Sequence, residues 1–267
     1  LLTLGAFLEG KYDYHIVDEN LTPSPSPSRQ GGTGYGEGCI KALSDLIAKK
    51  GIKYLGVTVM PGLQLMRAYE ISKNIKNRFP NVTIIWGGYF PSLHPNTVLN
   101  SGFVDFVIKG HAEFSFVKLI DVLENNTPPA PLLTKEGTFD EVEGLSYKQN
   151  GTIIHNKKAE PIDPDLIPRL PYHKVNVNKY LSVAKTYLGP RTAAYHSSVG
   201  CPFLCGFCAV AGVYKGRWIG RNAELVADDI TYLKKTYDIG AVEFHDNNFF
   251  VAEKRVYDFA SRIQNLN

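Results

Sequence analysis

The sequence predicts an α/β protein: an N-terminal Rossmann-like, doubly wound parallel sheet, followed by the start of a partial (β/α) TIM-like barrel. Three observations carry this. Between residues 37 and 125 short apolar runs alternate with segments of helical period, the pattern of parallel strands joined by helical crossovers. Three cysteines follow the apolar run 192–199, placing them at a strand's carboxyl end, where such barrels keep their chemistry. A helix-length segment then leads to a second short strand at 241–244. The expected domains are 1–125, Rossmann-like and lacking its first strand, a connector at 126–190, and a truncated barrel segment at 191–267.

Composition sets the outer limits. A chain of 267 residues is long enough for two domains. With 44% apolar and 21% charged residues it reads as an ordinary globular protein. A net charge of +3 is too small to argue for nucleic acid or a membrane surface. Four cysteines, three of them clustered, make no disulfide framework and suit a reducing cytosol. No apolar run of about 18 residues suggests a membrane span. Leu1-Leu2-Thr3-Leu4 lacks the basic start of a signal peptide and reads as the inside of a helix, so the chain reads as a fragment at this end.

Residues 1–8 are expected as the tail of a first helix turned by Gly10, with a short strand at 14–17 ending at Asp18. Between residues 20 and 38 lies Thr22-Pro23-Ser24-Pro25-Ser26-Pro27-Ser28, then Gly31-Gly32-Thr33-Gly34. Such composition cannot nucleate a packed element and reads as a mobile loop. Its glycines lack the strand-to-helix context of a phosphate loop. Ile40, Leu43, Leu46 and Ile47 then form one helical face, ended by Gly51. A strand at 54–59 is turned by Pro61-Gly62. Leu65, Ala68, Tyr69 and Ile75 line a second helix, closed by Pro80. Strands at 82–86 and 104–108 follow, and Phe116, Leu119, Ile120 and Leu123 face a third helix.

In the connector, runs at 145–147 and 152–155 flank Gln149-Asn150-Gly151, a hairpin signal. Pro128-Pro129-Ala130-Pro131 and the stretch 163–171 are too proline-rich for helix. His155 and His173 have no partners at ligand spacing and read as surface residues. In the last segment 191–199 is one strand and 212–221 a basic, Gly-containing loop. Asn222 is a helix N-cap, with Val226, Ile230, Leu233 and Tyr237 on the buried face. Arg217 and Arg221 read as surface charges.

The chemistry is concentrated in Cys201-Pro202-Phe203-Leu204-Cys205-Gly206-Phe207-Cys208. Three thiolates in a tight loop suit an iron–sulfur cubane, since each reaches a different corner. Structural zinc sites usually take a fourth protein ligand from a second pair, and the sequence has no such pair. The spacing C-x-x-x-C-x-x-C, with an aromatic residue before the last cysteine, resembles the radical S-adenosylmethionine signature. The resemblance implies Cys201, Cys205 and Cys208 as ligands of a [4Fe-4S] cluster, with the Phe207 backbone near the adenine of S-adenosylmethionine. It implies that the open iron chelates the amino and carboxylate groups of S-adenosylmethionine, whose one-electron cleavage yields a 5′-deoxyadenosyl radical. Asp246 and Asn247, ending the strand at 241–244, either meet the amino acid moiety of S-adenosylmethionine or cap the helix that begins near Ala252.

The first domain is similar to the cobalamin-binding domain that precedes many such cores. The resemblance rests on Gly87-Gly88-Tyr89-Phe90-Pro91 with Pro95 beyond it, and on a strand ending Gly110-His111-Ala112-Glu113. Paired glycines at a strand end let a ligand approach the backbone. Thr58, Gly87, Gly88, Tyr89, Gly110 and Glu113 are thereby implied to enclose the corrin. Asp13-Tyr14-His15 is not the D-x-H-x-x-G cobalt-ligand motif, because Asp18 replaces the glycine and His15 lies inside the predicted strand; His15 reads as structural. His94 and His111 read as hydrogen-bonding loop residues rather than cobalt ligands. Asp165-Leu166-Ile167-Pro168-Arg169-Leu170-Pro171 resembles the linker before this catalytic core.

The resemblance implies a cytoplasmic enzyme that acts on a small molecule with a [4Fe-4S] cluster, S-adenosylmethionine and cobalamin. A reductant such as flavodoxin or ferredoxin is the expected partner. Methyl transfer leads over oxidative cyclisation or rearrangement. The family core has about six strand–helix units, so this segment is expected not to turn over alone. The alternative reading is a cobalamin- or flavin-binding sensor module with a zinc or structural cysteine loop.

Overall fold

The computed structural model describes residues 1–18, 37–125, 138–183, 186–264 and 266. The Pro/Ser- and Gly-rich stretch, up to residue 36, and Pro128-Pro129-Ala130-Pro131 lie outside the described residues. The chain divides into two compact units, one of residues 15–160 with Leu1, the other of residues 2–14 and 161–267. The first helix, α1 (Leu2–Leu8), belongs to the latter.

The first unit is a five-stranded mixed sheet in the order β1-β2-β3-β4-β5. It is built from α2 (Glu37–Lys50), β1 (Tyr54–Thr58), α3 (Leu63–Arg78), β2 (Thr83–Gly87), α4 (Tyr89–Leu93), α5 (Pro95–Leu99), β3 (Phe106–Ile108), α6 (Glu113–Asn125), β4 (Leu145–Gln149) and β5 (Thr152–His155). β1, β2 and β3 are parallel, with Val57 opposite Trp86 and Trp86 opposite Val107. β2 is apolar on both faces, so Ile84, Ile85 and Trp86 are all buried, as expected of a parallel strand covered on both sides. α3 buries Ala68, Ile71, Ser72 and Ile75, the i, i+3, i+4, i+7 stripe of an amphipathic helix. Tyr69, expected on that face, is exposed and meets Phe103 edge-on instead. The Trp86 indole N–H donates to the Ser72 hydroxyl at 2.9 Å, so the one polar atom that β2 sends into the core has a partner. Asp105 accepts from the Ile84 N–H at 2.7 Å and from Lys76 at 2.8 Å, tying α3 and β2 to the start of β3.

The described parallel strands lie in chain order, β1-β2-β3. Two expectations are corrected in this unit. The hairpin expected in the connector pairs antiparallel to β3, Ile108 opposite Leu145, and extends the same sheet. Its turn is Asn150-Gly151 with φ of 50° and 80°, the two-residue turn that matches strand twist. Residues 14–17 form no strand; they find no ladder partner among the described residues, although Val17 packs on the core.

The second unit contains α7 (Val177–Val183), β6 (Thr192–Tyr195), β7 (Ser198–Gly200), α8 (Ala209–Tyr214), β8 (Trp218–Gly220), α9 (Ala223–Tyr237), β9 (Ala241–Phe244) and α10 (Glu253–Ile263). β6 and β9 are parallel, joined through α9, a strand–helix–strand unit. Val226, Ile230 and Leu233 of α9 pack with Tyr195 and Phe259 in this unit's core. Asn222 caps α9, its side chain accepting from the Glu224 N–H at 2.9 Å.

The strand expected over 191–199 is two strands with different partners, β6 beside β9 and β7 antiparallel to β8. The break falls at Ser197, whose N–H is taken by the Asp246 carboxylate at 3.0 Å rather than by a neighbouring strand. The expected loop at 212–221 holds the end of α8 and all of β8. Arg221 is buried, not on the surface. It ion-pairs with Asp229 at 3.4 Å and donates to the carbonyls of Pro164 and Ile167, while Asp165 accepts from the Asn222 N–H at 2.6 Å. The proline-rich stretch is therefore clasped to the start of α9 by polar bonds.

Candidate functional site: a three-cysteine loop and a set of strand-end loops

β7 delivers the cysteine loop. Gly200 has φ of +80°, and a Cβ there would lie deep inside the contact distance of the Arg217 carbonyl oxygen, so only glycine fits. Directly after it the Cys201 N–H donates to that same oxygen at 3.0 Å, closing the β7–β8 pair. The loop then turns back, the Cys208 N–H donating to the Cys205 carbonyl at 3.1 Å, and Cys208 becomes the residue preceding α8. All three thiols are free; Cys201 and Cys208 are half-buried and Cys205 is exposed. Phe203, Leu204 and Phe207 are exposed around them, Phe207 by 95%. Among the described residues no three His, Cys, Asp or Glu side chains gather round a point that a single ion would occupy. An all-sulfur donor set spread along a loop fits a cluster whose irons each take one thiolate.

Asp246 and Asn247 stand beside the loop. The Asp246 carboxylate accepts from the Ser197 N–H, from the Ser197 hydroxyl at 3.1 Å and from the Ser198 hydroxyl. It therefore braces Ser197, just before β7, and Ser198, its first residue. Asn247 reaches the Gly200 carbonyl at 3.4 Å. Neither caps α10: its N-cap is Ala252, with no side-chain bond. Sequence reasoning missed Ser197, Ser198 and Arg255 here. The small-residue run before Cys201 carried a signal for the serines. Nothing local marked Arg255, whose guanidinium bonds to Ser197 and Arg221.

In the first unit the loops after β1, β2 and β3 are bonded to one another. The Val59 N–H donates to the Gly87 carbonyl at 2.8 Å and the Phe90 N–H to the Val59 carbonyl at 3.2 Å. The Ser92 hydroxyl donates to the Gly88 carbonyl at 2.7 Å and accepts from the Gly110 N–H at 2.8 Å. Thr58, Gly87, Gly88, Tyr89 and Gly110 are thus brought together at the strands' carboxyl ends. The two glycines differ. Gly88 has φ of +100°, and a Cβ there would lie 2.8 Å from the Val59 carbonyl oxygen, so it is required by the protein's own backbone. A Cβ on Gly87 would meet only the Ile108 carbonyl at 3.7 Å, an ordinary contact.

Glu113 opens α6 with its side chain largely buried, 3.4 Å from the His111 imidazole. Burial pushes its carboxyl up, but the His111 imidazole and its own backbone N–H outweigh that and hold it below the usual range. His94 packs on the Phe90 ring, and His15 is exposed. Met60, Leu63 and Leu93, in the turns and helix ends that follow β1 and β2, are exposed apolar side chains. No helix among the described residues is long and apolar enough to cross a membrane.

No family model matches the chain. It is 28% identical over 225 residues, 83% of its length, to an uncharacterized methyltransferase, PH0819, of Pyrococcus horikoshii, and covers 45% of that protein. It is also 28% identical over 65% of its length to the anaerobic magnesium-protoporphyrin IX monomethyl ester cyclase of Synechocystis, covering 32% of it. Among solved structures it superposes, at a TM-score of 0.58 and 16% identity, on a radical S-adenosylmethionine methyltransferase, TsrM, of Kitasatospora setae with cobalamin and a [4Fe-4S] cluster bound. That match covers 85% of this chain and 42% of the other. The chain thus spans less than half the length of each. A cobalamin-dependent radical S-adenosylmethionine methyltransferase of Streptomyces tokunonensis, 24% identical over 68% of this chain, is also among its relatives, so the proteins this chain is similar to in sequence and fold include cobalamin-dependent radical S-adenosylmethionine enzymes.

Proposed function

We propose that this chain is the cofactor-binding part of a cobalamin-dependent radical S-adenosylmethionine enzyme, with the start of a (β/α) barrel after a Rossmann-like domain. The carrying observation is the braced loop that holds three free thiols within eight residues. Cys201, Cys205 and Cys208 hold a [4Fe-4S] cluster, which when bound supplies the electron that breaks S-adenosylmethionine into methionine and a 5′-deoxyadenosyl radical. The exposed Phe203, Leu204 and Phe207 would shield that site from water once it is filled, and the Phe207 backbone would lie near the adenine. Asn247 offers its amide to the amino acid moiety, and Asp246 adds a negative charge near its ammonium group.

In the first unit Thr58, Gly87, Gly88, Tyr89 and Gly110 frame a corrin, and Glu113 contributes a buried carboxylate at the mouth. The bare Gly87 backbone supports close approach, and Met60, Leu63 and Leu93 supply apolar area of the kind a large planar ligand covers. Cobalamin supplies the methyl group in a transfer to an unactivated carbon of a small molecule; oxidative cyclisation or rearrangement fits the same cofactors. A flavodoxin- or ferredoxin-type protein delivers the electron. The zinc-loop sensor reading has no support among the relatives.

The test is anaerobic reconstitution with iron, sulfide and hydroxocobalamin, followed by desalting and a visible spectrum. About four irons per chain, a sulfide-to-iron shoulder and retained corrin bands are expected. Stoichiometric zinc in the protein as purified, with no cluster on reconstitution, overturns the reading. A cluster without corrin overturns its cobalamin half.

A further inference from the structure

No residue from Cys201 to Gly220 is buried. The segment that carries all three cysteines therefore has no apolar core of its own, and its one strand, β8, is three residues long, too short to hold a shape unaided. Besides the Trp218 indole N–H, which donates to the Asn248 carbonyl at 3.0 Å, its pose depends on the residues that flank it and β7. Those flanking residues are Ser197, just before β7, and Arg221, just after β8; both are buried.

Both are held by one side chain. Arg255, in the first turn of α10, donates through Nε to the Arg221 carbonyl at 2.7 Å. Through Nη2 it donates to the Ser197 carbonyl at 2.7 Å and to the Ser197 hydroxyl at 2.6 Å. The Arg221 N–H closes the bracket on the Ser197 carbonyl at 2.8 Å. On its other side Ser197 is gripped by Asp246, so its hydroxyl links the guanidinium to the carboxylate. The guanidinium lies 5.9 Å from the Trp218 ring and 5.4 Å from the Phe249 ring. Gly220 leaves the room for it, since a Cβ there would stand 3.0 Å from Arg255 Cδ and Nε. Arginine's rigid fork suits this use, because it spans two acceptors that a lysine ammonium reaches one at a time.

We propose that Arg255 is a positioning residue of the three-cysteine site: it pins the entry and exit of residues 197–221 and so sets where the thiols stand. This rests on the cluster reading above and extends it to a residue outside the motif. Arg255→Met keeps the apolar stem and removes every donor; Arg255→Lys keeps the charge and loses the fork. The full chain is reconstituted with iron and sulfide, desalted and reduced with dithionite, and its electron paramagnetic resonance spectrum is recorded with and without S-adenosylmethionine. Both variants are expected to hold at most half the wild-type iron, and to lose or broaden the spectral change that S-adenosylmethionine induces. Far-ultraviolet circular dichroism stays at the wild-type value in Arg255→Lys, which keeps the test open should Arg255→Met not fold.

Limited proteolysis of the metal-free protein gives a readout independent of any cluster. Cleavage within residues 201–220 is expected to quicken at least fivefold in the variants, with cleavage elsewhere unchanged. Wild-type iron, an unaltered spectral change and unaltered cleavage overturn the proposal. A wild-type chain that assembles no cluster sinks the functional reading instead, and the proteolysis arm still decides on Arg255.

Discussion

Gly200→Ala tests whether the cysteine loop is set by the backbone beneath it. The backbone of Gly200 sits at φ of +80°, where an L-residue costs about 1–2 kcal/mol. The added Cβ would overlap the Arg217 carbonyl oxygen. That oxygen is fixed, because it accepts the Cys201 N–H at 3.0 Å. Relief requires β7 and β8 to part at the Gly200–Trp218 pair, forfeiting a backbone hydrogen bond worth about 1 kcal/mol. The sum is about 2–3 kcal/mol, which lowers the melting midpoint of this unit by roughly 10 °C. Cys201 moves with the strand, so iron retained after reconstitution falls more steeply than stability does. Gly206→Ala is the matched control in the same loop: its Cβ meets no atom within 4 Å, and its φ lies outside the left-handed region, so its effect stays within about 0.5 kcal/mol. Differential scanning calorimetry and iron analysis on both variants decide. Equal melting and equal iron in the two would refute the reasoning.

Four further outcomes are expected. Gly88→Ala destabilises the first unit by about 2–3 kcal/mol through φ strain and the clash with Val59. Gly87→Ala melts like wild type but retains less hydroxocobalamin; equal corrin retention by Gly87→Ala and wild type shows that no ligand approaches that backbone. Glu113 has a lowered carboxyl in the folded protein, so it contributes stability above its unfolded value of about 4.5, lost as the pH falls through the lower folded value. Wild type should therefore lose stability below about pH 4.5 more steeply than Glu113→Gln, in urea unfolding at stepped pH; parallel profiles contradict it. Asp229→Ala removes the carboxylate that meets the buried Arg221 at 3.4 Å and the Tyr195 hydroxyl at 2.7 Å. Breaking one side of such a pair costs about 3 kcal/mol, read as a lower midpoint of chemical unfolding; an unchanged midpoint places the pair among the inert ones.

Much of the candidate site was legible because it is local in the chain. Three cysteines within eight residues share one loop whatever surrounds them, and Asn150-Gly151 between two apolar runs announces its own turn. What escaped was polar and distant. Asp246 read equally as a helix cap or a cofactor contact, since either role suits a carboxylate at a strand end. Its actual partners, Ser197 and Ser198, lie nearly fifty residues earlier. Arg221 read as a surface charge because nothing in its neighbourhood shows that Pro164, Ile167 and Asp229 converge on it.

By itself the sequence determined the periodicities, and with them the three parallel strands, the helices between them and the thiol set. These follow from which side chains repeat every two or 3.6 residues, a property each segment carries alone. Tertiary structure decided where those elements stop and what they join. The single run from 192 to 199 breaks into two strands because a carboxylate from another strand's end captures the Ser197 N–H. A hairpin with a clear turn becomes part of the first sheet only because β3 offers it a free edge. Backbone donors and acceptors must all be satisfied, and their partners come from whichever segment packs alongside; no local pattern names that segment in advance.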